Sequence, residues 1–102
     1  MKQEPIGTPT KSLANKEIRK MKNNKPNYIT DPMYKSIIDV FKEKWNELIY
    51  WCNSDKENAR QIAYLCYHEV EAVICILERM TGRFNSLYKT MKKPAWDYLM
   101  SH

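Results

Sequence analysis

The chain has 102 residues, a formal net charge of +5, two glycines and three cysteines. That length suits one domain with one core and leaves little for a lined substrate cleft. Two isolated glycines, Gly7 and Gly82, exclude a phosphate-cradling glycine loop, and a glycine-poor, lysine-rich chain favours helices over turn-rich sheets.

The first thirty residues carry +5, residues 31–80 carry −3 and residues 81–102 carry +3. Such asymmetry suits contact with a polyanion or an acidic protein surface at either end. Residues 1–11 hold Pro5, Gly7 and Pro9 without an apolar period, which predicts a loosely attached segment. Ser12 is a candidate cap for a short helix over 12–22, with Leu13, Ile18 and Met21 as its apolar marks, before NNKPN breaks it. Residues 1–30 are therefore expected to be a flexible basic arm, and residues 31–102 a single helical domain.

TDPMY opens the first long helix, about 32–52, with Asp31 as the expected N-cap and Pro32 at the first helical position. Tyr34, Ile37, Ile38, Phe41, Trp45, Leu48, Ile49 and Cys52 form its apolar stripe. Ser54 and Glu57 have capping-box spacing, which predicts a short connection and a second helix over about 55–80, antiparallel to the first. Its seam runs Ala59, Ile62, Cys66, Val70, Val73, Leu77, Met80. Ala63 and Ile74 widen it on one flank, Leu65 and Ile76 on the other, so the helix has apolar surface for more than one neighbour in the same or a second chain. Gly82 is the expected left-handed terminator. Phe84, Leu87, Tyr88 and Met91 mark a third helix ending before Pro94, and AWDYLM a last turn whose Trp96 and Leu99 close the core. The fold class is all-α: an antiparallel helical hairpin, a shorter C-terminal helix or two packed across it, and a basic N-terminal arm.

YLCYHEVEAVIC, residues 64–75, is the densest run of reactive side chains. Cys66 falls in the apolar seam and reads as a small buried hydrophobe. Cys75 falls nearly opposite, about 13 Å along the helix, too far for a disulfide or a shared metal. Tyr64, His68, Glu71 and Cys75 line one strip at spacings of four, three and four. Zinc needs four ligands, or three plus water, and no HExxH pattern exists. His68 and Cys75 are about 10 Å apart, too far for a base–nucleophile pair. The strip reads instead as a contact surface.

No catalytic, metal or cofactor residues are assigned, and no cofactor is expected. The favoured reading is a non-enzymatic regulatory protein or inhibitor acting through protein–protein contacts, with Tyr50, Trp51, Tyr64, His68 and Glu71 as candidate contacts. The alternative is nucleic-acid binding, with Lys11, Lys16, Arg19, Lys20, Lys22, Lys25, Arg83, Lys89, Lys92 and Lys93 meeting phosphates or an acidic partner. Lysine-rich patches favour charge neutralisation over base reading. Homo-oligomerisation is a further expectation. The odd cysteine count and the absence of a leading or spanning apolar run point to a cytoplasmic protein with no membrane contact. The Lys-, Asn- and Ile-rich composition fits an AT-rich bacterial or phage genome.

Overall fold

The computed structural model describes residues 9–22, 25–82 and 87–101. These form four helices, α1 (Lys11–Met21), α2 (Asp31–Cys52), α3 (Ala59–Thr81) and α4 (Lys93–Ser101), the last led in by a π-helical segment, Tyr88–Lys92. The expected long hairpin is present: α2 and α3 pack closely, burying Ile38, Phe41, Trp45 and Leu48 against Ala63, Cys66, Val70, Ile74 and Leu77. Leu87, Met91, Ala95 and Leu99 complete the core from the C-terminal side. No helix among the described residues is long and apolar enough to cross a membrane.

The N-terminal segment departs most from expectation. The short helix expected over 12–22 is present as Lys11–Met21, but it is docked on the bundle, where a flexible arm was expected to carry it. Ala14, Glu17 and Met21, spaced three and four apart, are buried, while Lys11, Lys16, Arg19, Lys20 and Lys22 are exposed. Its cap is Thr10, not Ser12: the Leu13 N–H donates to Thr10 Oγ1 at 3.4 Å. The Trp45 indole donates from Nε1 to the Thr10 carbonyl at 2.7 Å, tying the start of α1 to α2. The weak apolar count misled because Ala14 buries well without looking hydrophobic, and Glu17 enters the buried face with Lys20 Nζ 3.5 Å from its carboxylate. The segment before Pro9, and Arg83 and Phe84, lie outside the described residues.

Two further boundaries move for local reasons. Thr30, one residue before Asp31, caps α2 by accepting from the Met33 N–H at 3.3 Å, leaving Asp31 to pair with Lys25 at 3.2 Å. At the hairpin, Ser54 accepts from the Lys56 N–H at 3.3 Å and closes a turn of its own. The predicted capping box does not form, the connection spans residues 53–58, and α3 starts at Ala59. Gly82 has φ +73° and donates to the Glu78 carbonyl at 2.7 Å, the left-handed end its sequence position predicts.

The helix also does not end before Pro94 but runs through it. A proline ring clashes with the carbonyl four residues back and has no N–H to give. The wider π turn immediately before Pro94 accommodates both defects. That segment is held to α3 by an ion pair, Lys92 Nζ to Glu78 Oε1 at 2.6 Å, with the side chains 16% and 8% exposed. Replacing Lys92 with Met strands the Glu78 carboxylate, and we expect a loss of about 2–4 kcal/mol in urea unfolding. Adding Glu78→Gln to that variant recovers part of the loss, because it removes the stranded charge.

Candidate protein-binding site

The strip Tyr64–His68–Glu71 follows the helical repeat along α3 and faces α4. Trp96, from the first turns of α4, packs across it, with ring centroids 5.7 Å from Tyr64, 5.3 Å from Tyr67 and 6.4 Å from His68. Tyr64 meets His68 edge-on at 4.5 Å, and Tyr67 meets His68 at 5.6 Å. Aromatic pairs favour these tilted and edge-to-face arrangements, so the four rings form one cohesive group.

Beside them Tyr67, His68, Glu71, Lys93, Trp96 and Asp97 line an open pocket of about 310 Å³. Its charges are unevenly satisfied. Lys93 Nζ donates to Asp97 Oδ2 at 2.9 Å. Glu71 has only long contacts, Tyr67 Oη donating at 3.5 Å and His68 Nδ1 lying 3.5 Å away. Bonds of that length are weak. The pocket therefore combines an aromatic wall with a carboxylate that retains capacity for another donor. Tyr64 also borders a neighbouring depression with Arg60, Gln61 and Leu65.

The five predicted contact residues fall into two groups. Tyr64, His68 and Glu71 come together with Trp96. Tyr50 and Trp51 lie at the hairpin end, 5.1 Å apart and edge-on, with the Lys56 ammonium over both rings at 5.5 and 5.4 Å. Tyr50 is exposed, whereas half-buried Trp51 lines a cleft with Ala59, Tyr98 and Leu99. Trp96 and Asp97 were not singled out as contacts by sequence. Their i,i+3 and i,i+4 spacing from Lys93 was readable, but not which face of α3 they would cover.

The basic candidates also divide. Lys25, Lys92 and Lys93 are engaged by Asp31, Glu78 and Asp97. Lys11, Lys16, Arg19, Lys22 and Lys89 are exposed, and Lys20 reaches Glu17. Arg83 is outside the described residues.

Among the described residues the only trio of metal-ligating side chains within mutual reach is Glu47, Cys66 and Glu69, not the His68–Glu71–Cys75 strip. Lys44 already stands there, with Nζ 2.7 Å from Glu69 and 3.8 Å from Glu47. Burial and the two carboxylates push the Cys66 thiol up from its ordinary pKa. Among the described residues His68 touches Glu71 and three aromatic rings. No family model matches the chain, and no curated protein or solved structure matches it either.

The three thiols should behave differently. Cys75 is exposed, Cys66 is buried, and burial raises the Cys52 pKa to about 11. Ellman's reagent should label Cys75 quickly in the native protein, half-buried Cys52 slowly, and Cys66 only after unfolding. Cys52 holds its proton more tightly when folded than when unfolded. Its contribution to stability is intact below pH 9.0 and is lost as pH rises towards about 11. Melts between those limits should fall less steeply for Cys52→Ala.

Proposed function

We propose that this protein is a non-catalytic binding module that receives a cationic side chain of a partner protein in the pocket between α3 and α4. The observation carrying this reading is the convergence of Tyr67, His68 and Trp96, with Tyr64 packed behind them, and the weakly bonded carboxylate of Glu71 around one open pocket. Aromatic faces attract cations through the ring quadrupole, and a carboxylate at the rim adds a charge-assisted hydrogen bond. Arginine suits the site best, because its planar guanidinium stacks on a ring and donates sideways to a carboxylate at once. A regulatory or inhibitory role follows if the residue captured belongs to a partner's own working surface.

Titration of isotope-labelled protein with a short arginine-containing peptide tests this. The indole N–H of Trp96 should shift most among Trp45, Trp51 and Trp96, with affinity in roughly the millimolar range for one side chain. Glu71→Gln should weaken the response several-fold. Equal shifts with a citrulline peptide would remove the cation from the argument.

A second reading keeps the basic face of α1. That face is carried on a folded helix, so its exposed lysines are held in place before any phosphate arrives. If it binds nucleic acid, Lys16→Glu with Arg19→Glu should abolish binding and lower the steepness of its salt dependence, with the melting temperature nearly unchanged.

A further inference from the structure

The outward side of α3 carries aliphatic groups where a solvated helix face carries polar ones. Leu65 is 61% and Ile76 52% exposed, and Ala72 is exposed between them. Across from Ile76, α2 presents Val40 at 44% exposure, and Ser36, Ile37, Val40, Val73 and Ile76 line an open groove of about 250 Å³.

We propose that two copies of this chain associate through this face, with α3 crossing α3 antiparallel over Ala72 and Ile76. The pattern of charge selects a second copy as the occupant. Glu69, Ala72, Ile76 and Arg79 fall within about 80° of the helix circumference. Glu69 and Arg79 lie five residues either side of the midpoint between Ala72 and Ile76, about 7.5 Å along the axis. A two-fold axis at that midpoint brings Glu69 of each copy alongside Arg79 of the other, so the pair forms twice. A parallel arrangement would set like charges together. An isologous contact requires this kind of self-complementarity, in which one patch carries both halves of each interaction.

The individual side chains suit the arrangement. Ala72 is small and admits the Ile76 side chain of the other copy. Arg79 is exposed and has no ion-pair partner among the described residues. Glu69 accepts Lys44 at Oε2, which leaves Oε1 for Arg79. Ile37 and Val40 extend the contact from α2. The patch is modest, so the dimer belongs at the weak end of specific interfaces, with a dissociation constant in the micromolar range.

Sedimentation velocity on the full chain, from about 1 µM to about 1 mM, spans that range. The wild type should pass from monomer to dimer. Ile76→Glu should raise the dissociation constant by about 100-fold or more, since it places two buried charges in each dimer. Arg79→Glu should raise it about tenfold, and the exchange Glu69→Arg with Arg79→Glu should bring it back. All of these positions are exposed, and circular dichroism should report unchanged helicity. A wild type that stays monomeric throughout would overturn the proposal and leave the face to a different protein. So would a dimer that ignores Ile76→Glu, or a charge exchange no tighter than Arg79→Glu alone.

Discussion

The indole of Trp45 is the joint on which the helices meet. Its ring is 1% exposed at the centre of the bundle, and a buried indole N–H requires an acceptor. It finds one in the Thr10 carbonyl, at 2.7 Å and across thirty-five positions of sequence. Thr10 meanwhile uses its hydroxyl to cap α1. One residue therefore starts the helix and fastens it to the core. A helix as short as α1 is marginal alone in water, so its persistence rests on this anchor and on burial of Ala14 and Met21.

At the other end, the orientation of α4 depends on the π turn before Pro94. One added or removed residue in a helical turn rotates everything after it by about 100°. Trp96 follows closely, so the register of that turn decides whether its ring meets Tyr64 and Tyr67 or points to solvent. The Lys92–Glu78 pair fixes the register from the side by tying the π segment to α3. Glu78 is the fourteenth residue after Tyr64, about four turns along the same helix, so α3 sets both the position of the aromatic wall and the height of the strut that aims Trp96 at it.

The hairpin was legible because its apolar stripes repeat at helical spacing over many turns. Phe41, Trp45 and Leu48 on α2, and Val70 and Leu77 on α3, all sit in the buried stripe their period predicts. What was not legible depended on competition between neighbouring groups. Thr30 and Asp31 are both able caps, and the structure uses the threonine while Lys25 takes the aspartate. Ser54 had the right distance to Glu57, but its hydroxyl closed a local turn instead. Pro94 looked like an end because sequence rules assume an α-helical turn before it, and the turn is π. At the site, the Tyr64–His68–Glu71 strip could be read from spacing alone. Trp96 could not be placed on it, since that depends on where the chain re-enters after α3. The Lys44–Glu69 contact is hidden for the same reason: its halves belong to different helices.

The two proposed surfaces share α3 and meet at one edge. Tyr64, Tyr67 and Glu71 are turned roughly 120° around the helix from the line through Ala72 and Ile76, and His68 lies between, about 60° from it. The core holds the third side. A dimer built on the outer stripe would therefore leave both α3–α4 pockets open, one per copy. Each would be preformed, because Trp96 and the rings of α3 already pack against one another, so little side-chain order remains to be lost on binding. A single arginine in one such pocket binds weakly. Two pockets fixed on one rigid pair turn the second contact into an intramolecular event for any partner that presents two cations at the matching span, and the gain is largest for a partner that is itself two-fold symmetric. On the two proposals taken together, weak self-association and a weak pocket would combine into selective binding by a protein of this size.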